Sequence, residues 1–271
     1  MNRYRILAPT VALAAAFFVI APLGAQTVVV TPSNLQGWGT VDQAGTGTAN
    51  IDGVAPRSGN GSLDLTMPTA NDKNYFGTLL STPQSLGSVT SASFDWMRSS
   101  TSTVPADLAP TYHLLIAANN GGTVQYSDLV WEWAYNNPAN SAGTAATDQW
   151  TTSDITNADF WRSMSGPSNT DCQSLNSNGG SQKWSSLANW NSTCYAGQDA
   201  MVYGISVGYG RGPAGSFQGY ADNMHIGFGS DIGTTYNFEQ EQSTVPEPSS
   251  LALLGTGLFG LVPMVRRRRK R

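Results

Sequence analysis

Positive charge is almost missing from the body of this 271-residue chain. Of 14 basic residues, two are Arg3 and Arg5 and six end the chain (Arg266 to Arg269, Lys270, Arg271), which leaves six between them against all 18 acidic residues. Residues 26–250 therefore carry a net charge of −12. Non-specific nucleic-acid binding depends on basic contacts to phosphates, so that partner class is excluded. Histidine is limited to His113 and His225, and Glu132 is the only glutamate before Glu239. No internal repeat is present, and no amphipathic helix of any length stands out.

These shortages remove most catalytic readings. Gly204-Ile205-Ser206-Val207-Gly208 fits the nucleophile pattern G-x-S-x-G. That pattern needs a sharp strand-to-helix turn, whereas Ser206 sits in the middle of an alternating run with Gly210 and Pro213 following. The same stretch fails as a phosphate loop, because neither a lysine nor a helix comes after it. Asp128 and Glu132, four residues apart on one strand face, are the carboxylates that could act as acid and nucleophile on a polysaccharide. A solvated face beside Trp131 and Trp133 is the plainer account of the same two residues.

What is present begins with the two ends. Arg3 and Arg5 precede a run from Ile6 to Leu23 that is apolar apart from Thr10, and small Gly24 and Ala25 precede Gln26. Residues 1–25 thus read as a secretory signal peptide cleaved after Ala25, with a retained anchor helix as the alternative. No cysteine follows the apolar run, so lipoprotein attachment is excluded. At the other end, residues 239–244 read as a polar linker and residues 245–250 as a proline-rich motif, Val245-Pro246-Glu247-Pro248-Ser249-Ser250. Pro246 and Pro248 keep that stretch extended and open to an enzyme. The apolar run 251–265 spans about 23 Å as a helix, against a bilayer core of about 30 Å. Flanking arginines can snorkel and the bilayer can thin, so a short transmembrane helix is expected, with residues 266–271 on the cytoplasmic side and the acidic body outside.

In an exported chain, an even cysteine count favours a disulfide between Cys172 and Cys194. Closing a loop of this length contributes about 3 kcal/mol in the chain-entropy model. With no histidine or second cysteine pair nearby, zinc is not expected.

Residues 26–238 alternate short β-like runs with turn clusters. Ser62 to Met67 alternates Leu63 and Leu65 with polar neighbours after the turn signal Ser58-Gly59-Asn60-Gly61. Phe94 and Trp96 share one face, as do Tyr112, Leu114 and Ile116, and the run from Val124 to Tyr135 sets Leu129, Trp131 and Trp133 together. Met201, Tyr203, Ile205, Val207 and Tyr209 are expected on one face, opposite Gly204, Ser206 and Gly208. Tyr220, Met224, Ile226 and Phe228 are expected in register with Asp222. Period-two alternation buries one face and exposes the other, so the fold class is all-β: an antiparallel β-sandwich of jelly-roll type. The irregular stretch 153–190 looks like a long surface excursion pinned by the cysteines. Trp161, Trp184 and Trp190 in this region are the candidates for stacking on pyranose rings, while Trp96, Trp131 and Trp133 sit on core-like faces. No cofactor is expected. Calcium is compatible with an exported, aspartate-rich β fold, and Asp222 is the one residue named for it.

The tail, with Pro246-Glu247-Pro248, one apolar segment and terminal arginines in that order, resembles the PEP-CTERM sorting signal of Gram-negative bacteria. The resemblance covers about one tenth of the chain. It implies Sec-type export, transient residence in the inner membrane, and recognition of Val245, Pro246, Glu247 and Pro248 by an exosortase, a membrane transpeptidase. The destination it implies is the cell surface or extracellular matrix, in company with exopolysaccharide. Gly59-Asn60-Gly61-Ser62-Leu63-Asp64-Leu65 resembles a strand segment common in concanavalin-like and carbohydrate-binding modules, and Tyr220-Ala221-Asp222-Asn223-Met224-His225-Ile226 resembles their closing strand. These two resemblances imply a jelly roll without naming a ligand. The acidic residues that alternate along one strand in concanavalin-like glucanases are missing. The expectation is a non-enzymatic surface or matrix protein that binds exopolysaccharide. An acidic body fits neutral polymers better than anionic ones.

The sorting motif generates the first prediction. Replacing Pro246 and Pro248 with Ala leaves export intact and blocks removal of the tail. Immunoblotting of membrane and surface fractions checks this, and normal release of the double variant to the surface refutes it.

Overall fold

The structure, a computed structural model, describes residues 26–137, 143–163 and 184–241. The expected signal peptide, the sorting motif with its apolar segment and basic end, and Cys172 lie outside the described residues. No helix among the described residues is long and apolar enough to cross a membrane.

The described chain is mostly β and forms two sheets of seven strands, packed as a sandwich. Sheet I contains β1 (Gln26–Val30), β3 (Thr48–Asp52), β4 (Ser62–Met67), β6 (Val89–Arg98), β9 (Thr151–Asp154), β13 (Phe217–Phe228) and β14 (Thr234–Phe238). Its axis is β13, which pairs with β6 on one side and with β4 and then β14 on the other. Sheet II runs in the order β11 (Trp184–Ser186), β10 (Asp159–Ser163), β8 (Thr123–Trp131), β7 (Thr111–Asn120), β12 (Met201–Tyr209), β5 (Lys73–Ser85) and β2 (Gly39–Ala44).

Alternation drives the packing. Leu63, Leu65, Phe94, Trp96, Met224 and Ile226 of sheet I meet Phe76, Tyr112, Leu114, Ile116, Leu129 and Trp131 of sheet II in one core. Phe94 packs edge-on against Tyr112 at 5.5 Å and Trp131 at 5.3 Å, so one ring joins both sheets. Such aromatic pairs add about 1 kcal/mol each beyond the area they bury. The Tyr112 hydroxyl donates to the His225 carbonyl at 3.0 Å, which gives the most buried tyrosine a polar partner across the sandwich.

Four expectations are corrected. The sheets are not wholly antiparallel, because β1 pairs parallel to β14. Strand β8 ends at Trp131 rather than running on to Tyr135, and Trp133 opens the short helix α1 (Trp133–Asn136), with its ring still packed on the core beside Trp96 at 5.5 Å. In β12 the pairing register shifts between Val202 and Gly204. This bulge puts Val202, Ile205, Val207 and Tyr209 towards the core and turns Met201 and Tyr203 to the other face. A second register shift between Asp222 and His225 in β13, with Asn223 at φ 50°, separates Tyr220 from the face of Met224 and Ile226.

The β13 bulge also explains Asp222, which is fully buried. Its Oδ1 accepts the backbone N–H groups of Phe238 and Asn223, both at 2.8 Å, and its Oδ2 accepts that of Ser58 at 3.2 Å. Both oxygens therefore face N–H donors, which would repel a cation. Asp222 is a strut between β13, β14 and the turn at residues 58–61, and this corrects its reading as a calcium ligand. Burial pushes its carboxyl up to about 7, against the pull of the three N–H donors.

The boundary after Phe238 also moves. The Glu239 N–H donates to the Val30 carbonyl at 2.9 Å, and its carboxylate accepts the N–H groups of Asn60 and Gly61. Gly61 is required there, since a Cβ would lie 2.5 Å from the Gln240 backbone nitrogen. Glu241 accepts the Ser33 N–H. Residues 239–241, expected as linker, are bonded to the domain.

Removing the strut gives the second prediction. Asp222→Ala leaves three donors without an acceptor and lowers the unfolding free energy by about 3 kcal/mol or more, read from urea midpoints. The Asp222 carboxyl binds its proton more tightly folded (about 7) than at its ordinary value of 3.8. Between those values the folded state holds more protons, so stability falls as pH rises, and Asp222→Asn makes that fall shallower.

Candidate functional site

The outward face of sheet II is unusual because its middle is also buried. Pairing sets His113 of β7 between Val130 of β8 and Ser206 of β12, and Ser206 next to Gly77 of β5. His113, Val130 and Ser206 are all within 2 % of complete burial, although they point away from the core between the sheets. Beside this row lie Thr111 and Gly208 on one side and Leu115 and Gly204 on the other. The three glycines act as a floor. A Cβ on Gly208 would lie 2.1 Å from the Asn74 carbonyl oxygen and 2.6 Å from the Tyr75 ring, so the ring of Tyr75 can lie across the strand only where Gly208 has no side chain.

Aromatic side chains stand at both ends of this floor. At one end Trp161 of β10 pairs opposite Val130, and Tyr75 of β5 packs on the His113 ring at 4.3 Å. At the other end Tyr126 of β8 and Tyr203 of β12 meet at 5.4 Å, edge to face. Tyr126 is 57 % exposed, and exposed Leu79 and Val124 belong to the same face. From Tyr126 to Glu132 is six residues of extended chain, about 20 Å.

Polar groups line the floor between these stations. The Thr111 hydroxyl donates to the Gly208 carbonyl at 3.0 Å and so accepts from His113 Nε2 at 2.8 Å. That arrangement leaves His113 Nδ1 without a hydrogen bond, 3.6 Å from the Asp128 carboxylate. The Ser206 hydroxyl is likewise buried without a partner.

The Trp161 end deepens into a cavity of about 340 Å³, lined by Lys73, Tyr75, Glu132, Trp133, Trp161 and Tyr209 among others. Burial pushes the Glu132 carboxyl up to about 7; the nearby Trp161 indole opposes this and the charge of Asp107 adds to it. The Trp161 N–H nevertheless makes no well-formed hydrogen bond, and neither do the buried Trp133 N–H and Tyr209 hydroxyl. Burial, reinforced by the charge of Glu132, raises the phenols of Tyr75 and Tyr209 and keeps them neutral. Lys73 is paired with Asp42 at 2.5 Å.

The three tryptophans expected to stack on sugar separate. Trp161 is half-buried and belongs to the groove. Trp184 is 9 % exposed, and its ring is stacked on Tyr135 at 4.7 Å. Trp190 is 1 % exposed and donates its indole N–H to the Phe160 carbonyl at 2.7 Å, which makes it a core residue with no face to offer. Asp128 and Glu132 do share the outward face, with different neighbours: Asp128 lies beside His113, and Glu132 lies in the cavity. Tyr75, Tyr126 and Tyr203 were not assigned to a site by sequence, and His113 was noted only as one of two possible bases. A signal was present, since Leu114 to Ala118 is apolar at both parities, the pattern of a strand covered on both faces. Cys194 is buried, and no described cysteine is free; its expected partner Cys172 lies outside the described residues.

Elsewhere, the Asp95 carboxylate on sheet I is satisfied by Arg57 Nε at 2.9 Å, Asn223 Nδ2 at 2.8 Å and the Thr152 hydroxyl. Three such bonds make it a structural cluster. Among the described residues no group of three or more His, Cys, Asp or Glu could hold a metal ion.

Residues 244–270 match the PEP-CTERM protein-sorting motif. No curated protein matches the chain. Among solved structures, the chain is similar to the family 11 carbohydrate-binding module of the cellulosomal cellulase Lic26A-Cel5E of Clostridium thermocellum, with 14% identity over 68% of this chain and 84% of that one, at a TM-score of 0.36. The Clostridium thermocellum family 11 module in complex with a β-1,3-1,4-mixed-linked tetrasaccharide gives 13% identity over 70% and 88%, at 0.35. A structure of carbohydrate-binding modules of promiscuous specificity from the β-sandwich superfamily gives 14% over 71% and 57%, at 0.33. Likeness at this level assigns no ligand, so the groove is judged on its own residues.

The division among the tryptophans gives the third prediction. Trp190→Ala costs about 3–5 kcal/mol of stability through the cavity it leaves. Trp161→Ala costs about 1 kcal/mol or less. Thermal melts of the two variants check the difference, and equal losses refute it.

Proposed function

We propose that this chain is an exported, non-catalytic surface protein that holds a non-anionic polysaccharide along the outward face of sheet II, and that an exosortase acts on its C-terminal tail. In this reading the sandwich is a jelly-roll scaffold. Residues 1–25 direct Sec-type export, 251–265 lodge briefly in the inner membrane, and the mature protein resides at the cell surface or in the matrix. A Cys172–Cys194 disulfide closes the irregular region.

One observation carries the ligand assignment. The groove floor is made of Gly77, Gly204, Ser206 and Gly208, low enough to leave aromatic stations standing at both ends, with the part-exposed Asp128 carboxylate between them. A pyranose has apolar faces that stack on aromatic rings and a rim of hydroxyls that both donate and accept. It therefore matches a low floor flanked by aromatic rings with a carboxylate acceptor beside them. A body charge of −12 disfavours anionic chains. Each stacked ring contributes about 1 kcal/mol, so retention depends on several stations engaging one chain.

The same geometry supports binding over hydrolysis. Glu132 has the raised carboxyl of a general acid. Four residues of extended chain, however, set its Cα about 13 Å from that of Asp128. The two side chains also serve different neighbours, whereas a glycosidase needs two carboxyls flanking one bond.

The test is the fourth prediction. The full chain retains cellohexaose or laminarihexaose over an alginate hexamer, and Tyr126→Ala weakens retention about fivefold with an unchanged melting temperature. Tightest binding of alginate, or release of reducing ends from either neutral hexamer, overturns the reading.

A further inference from the structure

The cavity at the Trp161 end of the groove differs from the rest of that face, because it encloses a carboxyl group within aromatic rings. Tyr75, Trp133, Tyr135, Trp161 and Tyr209 all contribute to its wall around Glu132. The lining converges from five strands and α1, since Lys73 opens β5, Thr111 opens β7, Trp131 closes β8, Tyr209 closes β12 and Trp161 belongs to β10. Tyr209 is 5 % exposed, stacks on Phe217 at 3.9 Å and leaves its hydroxyl without a partner. The cavity volume of about 340 Å³ accommodates one sugar residue with its substituents.

We propose that this cavity selects a sugar carrying a free primary amine, a de-N-acetylated hexosamine, with the ammonium held between the Glu132 carboxylate and the surrounding aromatic faces. The assignment rests on the glycan-binding reading of the groove and narrows it to one chemical class. A carboxylate and aromatic π-faces attract the same cation from different sides, and both act more strongly where water is excluded. A neutral hydroxyl in the same place gains neither the charge pair nor the cation–π contact. An acetamido group has lost its charge and adds bulk.

Two basic residues line the cavity and count against a cation. Lys73 is already paired with Asp42, and its ammonium lies 5.6 Å over the Tyr75 ring, so its charge is neutralised locally. Arg211 is exposed, and bulk solvent screens it. On the other side of the balance, Asp107 acts on Glu132 with a second negative charge. The acidic body adds a favourable long-range field for a polyamine chain.

The experiment compares three β-1,4-linked tetrasaccharides that differ only at C2: the glucosamine, the N-acetylglucosamine and the glucose oligomers. Isothermal titration of the full chain in detergent at neutral pH gives their dissociation constants. The amine oligomer is expected to bind about tenfold more tightly than the other two. Glu132→Gln, which keeps the shape and removes the charge, is expected to abolish the preference for the amine oligomer over the other two. Equal affinities for the three oligomers on the parent protein overturn the proposal and leave the glycan reading standing; binding of none of them also overturns the proposal, and the glycan reading then rests on laminarihexaose alone. If Glu132→Gln does not fold, the ranking on the parent protein decides alone.

Discussion

The alternation of β12 is the constraint on which the rest of the molecule depends. This strand lies between β7 and β5 inside sheet II, so both of its faces are covered. Towards the core it presents Val202, Ile205 and Val207, each fully buried. On the outward side it presents Gly204, Ser206 and Gly208, where any larger side chain would collide with the backbone of β5 or with Tyr75. The first set supplies apolar burial, at roughly 25 cal/mol for each Å² removed from water. The second set creates a floor low enough for rings from neighbouring strands to lie across it. Core and groove are thus two sides of the same nine residues.

The bulge between Val202 and Gly204 makes this compatible with function. Because the side-chain period of a strand is two, one extra residue reverses the facing of everything before it. Tyr203 is thereby moved out of the core sequence and set against Tyr126. The β13 bulge does a comparable job on sheet I. It turns the chain at Asn223 and lets the buried Asp222 gather backbone donors from three separate segments. Among the described residues, Glu239 and Glu241 attach to the turn at residues 58–61 and to Ser33. Residues 239–241 are therefore fixed to the sandwich.

Much of the strand content was legible from local patterning. Ser62–Met67 and Met201–Tyr209 were located to the residue, because turn signals bracket a clear period-two run. Strand β5, with 13 residues, went unread since Gly77, Thr78 and Pro83 interrupt its apolar pattern, and β10 and β11 lack any pattern of their own. These strands are held by pairing with neighbours that are remote in sequence, a contribution that propensity does not register. Trp190 was misread for a related reason. The composition around Trp190 is that of a surface loop, yet its helical stretch tucks against Phe160 and buries the ring.

The sequence by itself determined the sorting tail, the acidic character of the body and the all-β class, because each is a property of residue types in short covalent order. Tertiary structure alone decided the groove. Trp161, Tyr75, Tyr126 and Tyr203 come from four different strands, and Glu132 meets Tyr209 across a gap of 77 residues only because β8 and β12 both flank β7. Which aromatic rings face solvent depends on strand register and on one bulged residue, and no local window of sequence contains either.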